Sequence, residues 1–309
     1  MRMRVGCEFQ FESGHPVTTV MLVAPRSDGA HRMVYESRWT EPVLAMHDFH
    51  DAFSNNCWRM DIPPGQSTVR YDALVDVSDD PDPRLPGAFL ISPALLPDAV
   101  LGFTLPSRYV ESDQVANEAW ALFGNTAPTW ERVQAVCDWV HTNIRYDPSA
   151  IVVHGTARQL LDRKVGVCRD FALLVTAFCR ALNIPARYTF GYLPDLAGTT
   201  LDTPMDFHAW SEVFIAGRWF AFDARHNVPR VGRVVVGFGR DAADVALTTS
   251  YGALTLDSMQ VWAEEVATVP VAPAAETMAP AALPLAASHA AVAGRSAGAG
   301  LERVHGVAR

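Results

Sequence analysis

No apolar run in this chain approaches the roughly 18 residues that a membrane-spanning helix needs. The start, Met1 to Phe9, carries basic residues but no continuous apolar stretch, and Glu8, Gln10 and Glu12 interrupt it, so a secretory leader is not expected. Cysteine is sparse: Cys7, Cys57, Cys137, Cys168 and Cys179 are odd in number and lack a close C-x-x-C pair, which excludes a disulfide framework and fits thiols in a reducing compartment. Positive charge is in deficit, and the formal net charge of −9 argues against a nucleic-acid or anionic-membrane partner. There is no G-x-S-x-G, P-loop or dinucleotide fingerprint. His47-x-x-His50 has the spacing of two metal ligands, but no further Cys or His stands at zinc-site distance, and a loop is the expectation. These absences leave a cytoplasmic globular protein without metal or cofactor. Its 309 residues, 49% hydrophobic, suffice for one large domain or two ordinary ones.

Residues 1–77 read as β. Val17–Val23 and Thr68–Val77 are rich in β-branched residues, and Ser27-Asp28-Gly29 and Pro63-Pro64-Gly65 punctuate them as turns, predicting a small antiparallel sandwich. Residues 78–107, with Asp79-Asp80-Pro81-Asp82-Pro83, predict a connector with only short regular structure. A core of 108–268 follows. Thr129 is placed to cap a helix with Val133, Val136, Cys137 and Val140 on one stripe, and Thr156 to cap a short one through Leu160 and Leu161. A longer helix starting near Cys168 should stop at Asn183 and Pro185. Arg187–Tyr192 predicts a strand, and a loop runs through Pro194 and Pro204. His208–Ile215 and Arg218–Asp223 predict a hairpin about Ala216-Gly217, with further strands at Val231–Gly237 and Thr255–Val266. Residues 269–309, rich in Ala, Pro and Gly, predict a disordered tail.

Chemistry concentrates in three places. Cys168 sits where a loop turns into a helix; unpaired amides and the positive end of the helix dipole favour a thiolate there and could donate to an oxyanion. On position alone, nucleophile and structural cysteine stand level. Cys179, mid-helix among Ala177, Phe178 and Leu182, shows what the structural kind looks like, and Cys7, Cys57 and Cys137 join it. His208 opens a strand. A two-residue turn at Ala216-Gly217 sets Ile215 opposite Arg218 and Trp210 opposite Asp223, so His208, Trp210 and Asp223 share one sheet face with His208 diagonal to Asp223. A carboxylate there would fix the imidazole tautomer and hold it towards a thiol. His226 would be an alternative base, but strand alternation assigns it to the opposite face.

Four ordered blocks carry a resemblance: Arg163–Ala172, Ile184–Tyr192, Asp206–Val213 and Trp219–Asp223. Together they resemble the bacterial transglutaminase-like superfamily over about residues 110–265, with 1–77 similar to the β-rich region that precedes many such cores. The resemblance implies a papain-like α+β core, its nucleophile helix packed on an antiparallel sheet. It implies Cys168 as nucleophile, His208 as general acid/base and Asp223 as orienter, with no calcium loop and no zinc cysteine set. Tyr146 is the candidate second oxyanion donor, and Trp210, Tyr192 and Trp219 are candidates to line the cleft. The implied reaction is thiolate attack on an amide of a peptide or protein, with hydrolysis favoured over amine transfer. The alternatives are a protein cross-linking transferase, a non-catalytic interaction module that has kept the core, and an arylamine N-acetyltransferase-like enzyme.

Overall fold

The computed structural model describes residues 1–152, 154–195 and 205–266. The predicted tail at 269–309, and the predicted loop between Pro194 and Pro204 from residue 196 to 204, lie outside the described residues. Residues Met1–Thr268 form one compact unit.

Two four-stranded antiparallel sheets make the N-terminal layer. The first is built from β1 (Arg2–Ser13), β3 (His31–Glu41), β6 (Gly65–Val77) and β14 (Thr255–Glu265), in the order β14-β1-β6-β3. The second holds β2 (Val17–Met21), β4 (His47–His50), β5 (Asn56–Ile62) and β13 (Thr248–Ser250), in the order β13-β2-β5-β4. Alternation drives the packing: Met3, Val5, Cys7, Phe9 and Phe11 of β1 and Val69, Tyr71, Ala73 and Val75 of β6 are buried. Trp58 of β5 meets Tyr71 of β6 across the layer at 5.4 Å between rings. The predicted sandwich is therefore present but is not closed by residues 1–77. β14, which the sequence assigned to the core, pairs with β1 from Met3↔Glu265 to Glu12↔Thr255. Such long-range pairing leaves no local trace in the sequence. His47–His50 is an exposed edge strand rather than a loop.

The connector is mostly irregular and carries α1 (Asp98–Leu101). Then come α2 (Ala116–Phe123), which the sequence did not announce, α3 (Trp130–Asn143), β7 (Arg145–Tyr146), α4 (Ala157–Arg163), β8 (Val165–Gly166) and α5 (Cys168–Ala181). Thr156 caps α4 as expected, with a reciprocal bond between its backbone N–H and Gln159. Thr129 precedes α3 but its hydroxyl donates to Glu131 instead of capping. The last sheet runs β11-β10-β9-β12, from β9 (Ala186–Tyr192), β10 (His208–Ile215), β11 (Arg218–Phe222) and β12 (Val234–Gly239).

α5 is buried on every side from Asp170 to Arg180, the mark of a helix central to a core. It lies on the β9–β11 sheet, where Ser211 of β10 donates to the Ala172 carbonyl at 2.8 Å and meets Thr176 at 3.0 Å. Tyr192 at the end of β9 ties the core to the N-terminal layer, its hydroxyl donating to the Val23 carbonyl at 2.9 Å.

Candidate active site

The β10–β11 hairpin has the register expected from its turn. Ser211 faces Phe222 and Ile215 faces Arg218, and both turn residues, Ala216 and Gly217, take positive φ of 48° and 88°. That is the backbone of a two-residue hairpin turn following the strand twist. Continued one step, the register sets Trp210 opposite Asp223 and His208 diagonal to it. His208 Nε2 and Asp223 Oδ2 are 2.8 Å apart. Behind His208 runs β9, with Gly191 as its partner. A Cβ on Gly191 would sit 2.1 Å from the Val234 carbonyl oxygen, so only glycine lets β12 approach here.

Cys168 is half-buried at the first turn of α5, whereas the other four cysteines are buried. The loop before it is fixed by Asp170, whose carboxylate accepts from the Val167 amide at 3.2 Å and from Arg163 at 2.9 Å. Burial pushes the Asp170 carboxyl up, against the pull of the Val167 amide, Arg169 and Arg163. The Cys168 thiol points across to the Phe207 carbonyl at 4.0 Å, beside the start of β10. With Nε2 engaged by Asp223, Nδ1 is the ring nitrogen left for Cys168, which is near enough to help hold the imidazole protonated. Cys168, His208 and Asp223 thus converge.

The electrostatics follow from burial and pairing. Desolvation alone would push His208 down, but the Asp223 carboxylate and Cys168 outweigh it and hold the imidazole up at about 9. Asp223 is held well below the usual carboxylate range: burial opposes its charge, yet His208 and Arg233 overcome that cost. Its Oδ1 accepts from the amides of Arg225 at 3.1 Å and His226 at 3.3 Å, while Oδ2 also accepts from Arg233 at 2.9 Å.

Several expectations need correction. Trp210 is 1% exposed and Tyr192 0%, so neither presents a surface to a substrate. Trp210 instead backs the site: its ring stacks near His208 at 6.3 Å, and the Arg233 guanidinium lies 4.7 Å from its centroid. Trp219 packs away from the site, on Phe103, Phe214 and Arg187. Both hydrophobic cores and cleft walls use aromatics, and strand spacing alone does not separate them. His226 was assigned to the far face, yet its ring centroid is 4.9 Å from that of His208. The strand ends at Phe222, so alternation no longer applies four residues on. Burial first, then the neighbouring cations, push His226 down to about 4.

Tyr146 does lie beside Cys168. Its phenol is pushed up by burial and then by the thiol, and its ring is held between Phe171 and the Arg225 guanidinium, 3.5 Å from the centroid. His208, Asp223 and His226 place one donor atom each within 4.8 Å of one another, a set able in principle to approach a metal ion. Cations of the chain already hold two of the three: Arg233 bonds Asp223, and Arg230 Nη1 is 3.0 Å from His226 Nδ1.

Sequence reading missed Arg233 and Asp82. Arg233 in an otherwise apolar run before β12 was the one available signal, and Asp82 was lost among the acids and prolines of the connector.

Comparison with known proteins bears on the family and the fold. The family model of the transglutaminase-like superfamily matches residues 116–224. A crystal structure described as a "Putative Cysteine Protease from Cytophaga hutchinsonii" superposes with a TM-score of 0.78 at 28% identity, covering 87% of this chain and 92% of that one. An uncharacterised protein of Mycobacterium leprae is 28% identical over 83% of this chain and 96% of its own length. One of Mycobacterium tuberculosis is 28% identical over 72% of this chain and 78% of its own. The matched span of 116–224 makes this part of the chain a transglutaminase-like superfamily domain, and the fold around it is α+β.

Proposed function

We propose that the protein is a cysteine hydrolase that forms an acyl-thioester at Cys168 from an amide of a peptide or protein, and that water then resolves it. The observation that carries this reading is the 2.8 Å contact of His208 Nε2 with a buried Asp223 carboxylate, beside a helix-start cysteine whose thiol lies 4.0 Å from the Phe207 carbonyl. It leaves Nδ1 to exchange a proton with sulfur.

In the first half-reaction His208 takes the thiol proton and the sulfur attacks the carbonyl carbon. The tetrahedral adduct collapses with cleavage of the C–N bond, and His208 returns the proton to the departing amine. Water then attacks the thioester, gives a proton to His208, and the C–S bond breaks to regenerate the thiol. Asp223 keeps the ring in one tautomer and stabilises the imidazolium in both halves. The oxyanion would face the Cys168 amide at the start of α5, where helical amides lack internal acceptors, with the Tyr146 phenol on its other side. The similarity to a Cytophaga hutchinsonii chain described as a putative cysteine protease supports hydrolysis.

The test is a peptide-amide panel assayed with and without a primary amine. Release of free acid that the amine does not suppress, and its loss in Cys168→Ala and His208→Ala, is the expected result. Incorporation of the amine at the expense of acid would instead make the protein a transferase.

A further inference from the structure

Asp223 does not stand alone behind His208. Its Oδ2 is shared between His208 Nε2 and Arg233 Nη2, at 2.8 and 2.9 Å. Arg233 turns its Nε to the other side and donates to both oxygens of Asp82, at 3.0 and 2.9 Å. Asp82 is itself fixed by the chain: its amide donates to the Arg230 carbonyl at 2.8 Å, and its Oδ2 accepts the Arg230 amide at 2.8 Å. The Trp210 ring closes one face of the guanidinium. The side chains of Arg233, Asp82 and Asp223 are only 8%, 14% and 3% exposed. A buried cation bridging two carboxylates is costly unless its geometry is held, and here every member is held by another.

We infer that Arg233, anchored by Asp82 of the connector, is a positioning residue that fixes the Asp223 carboxylate against His208. The inference rests on the function proposed above. A guanidinium suits the task because its planar fork reaches two carboxylates in one fixed geometry, which an ammonium does not. The connector is thereby part of the site: residue 82 reaches the triad through one side chain.

Other titratable and charged groups stand around the His208–Asp223 pair as well. They are Cys168 of α5, Tyr146 of β7, Asp206 before β10, Arg225, His226 and Arg230 after β11, and Cys137 of α3 with Asp138 next to it. A pH profile separates positioning from the loss of one charge among these many. Iodoacetate, an anion that reacts with a thiolate beside an imidazolium, reads the pair at Cys168, since the other four cysteines are buried.

For the full chain the expected profile is a bell that falls on its alkaline side near pH 9, as His208 loses its proton. A wild-type profile that is no bell, or that His208→Ala leaves unchanged, overturns the proposed function and this inference with it. Given a bell that depends on His208, the variants test Arg233 alone. Arg233→Met should narrow it: the alkaline limb moves down by about one pH unit or more as Asp223 leaves the ring, and the acid limb moves up. Removal of a positive charge without loss of position would instead move both limbs up together. Asp82→Ala, at the more accessible end, removes a negative charge, so a pure charge effect moves both limbs down, whereas lost positioning again narrows the bell. Arg233→Lys keeps the charge and should give an intermediate width. Parallel displacement of both limbs, or an unchanged shape with only a lower Tm, overturns the inference.

Discussion

The first N-terminal sheet and the core use the same ionic residues in opposite ways. On the outer face of the first sheet, Arg4 pairs with Asp72, Arg2 with Asp76 and Arg70 with Glu8, all partly open to solvent, while the interior of those strands is apolar. In the core the ions are inside: Asp170, Arg180, Asp223 and Arg233 are almost wholly covered. Exposed pairs are screened and contribute little, whereas a buried charge is costly unless an opposite charge and hydrogen bonds compensate it. Most of the charges kept indoors at a desolvation cost stand on α5 and the sheet that faces it, with Arg26 of the N-terminal region as an exception.

The largest effect expected from this contrast is catalytic. Asp223→Asn keeps the volume but lets the His208 tautomer change and removes the partner of the imidazolium. Turnover of a peptide-amide substrate should fall by about 10³- to 10⁴-fold. A loss below tenfold would place Asp223 among ordinary structural acids and dissolve the distinction between the two regions.

How far these ions were legible in the sequence depends on the range over which they are held. Local rules place Cys168, His208 and Asp223, by a helix start, a strand start and a two-residue turn whose register is forced, and the four-block resemblance supplied their roles. Asp170 stood inside the same motif as Cys168 without showing that it is buried. Arg233 and Asp82 are separated by 151 positions and meet only in the folded chain. The pairing of β14 with β1 was hidden for the same reason, and with it the closure of the N-terminal layer. Tyr192 and Trp210 failed differently: their spacing was read correctly, but which side of a sheet faces a cleft is a tertiary fact.

Next in size is a loss of stability. Arg180 is 2% exposed and donates to the carbonyls of Ala186, Leu105 and Arg240 and to the Ser107 hydroxyl. Burial pushes its guanidinium down to about 10, against nearby Asp241 and Asp244, so it still carries its charge at neutral pH. Arg180→Ala would strand those acceptors, and chemical denaturation should show a loss of about 3 kcal/mol or more. Circular dichroism at half-denaturation would distinguish this from a local loosening of the connector, since Leu105 and Ser107 lie in it.

The core should also make stability depend on pH where the N-terminal pairs do not. His208 binds its proton more tightly folded, at about 9, than unfolded, at about 6.5. Its contribution is therefore complete below about pH 6.5 and is lost as pH rises through about 9. Asp223, depressed by folding, contributes in full above about pH 4 and loses that only at much lower pH. Between pH 6.5 and 9 the Tm should fall in the wild type and much less in Asp223→Asn. Equal slopes would mean that His208 is not paired in solution.

The smallest effect is expected on the outer sheet. Arg4 bonds Asp72 through both Nε and Nη2, at 2.9 and 2.8 Å, and lies over the Trp262 ring, so its geometry is as good as that of many buried pairs. Its side chain is nevertheless 38% exposed, and Arg70 stands over the same ring at 4.9 Å and remains to compensate Asp72. Solvent screening and this redundancy should hold the cost of Arg4→Ala to about 1 kcal/mol or less, shrinking further in salt. A cost near that of Arg180→Ala would show that hydrogen-bond geometry, rather than exclusion of water, sets what an ion pair contributes in this protein. It would also remove burial as the criterion by which the charges around Cys168 were told apart from those on the sheet.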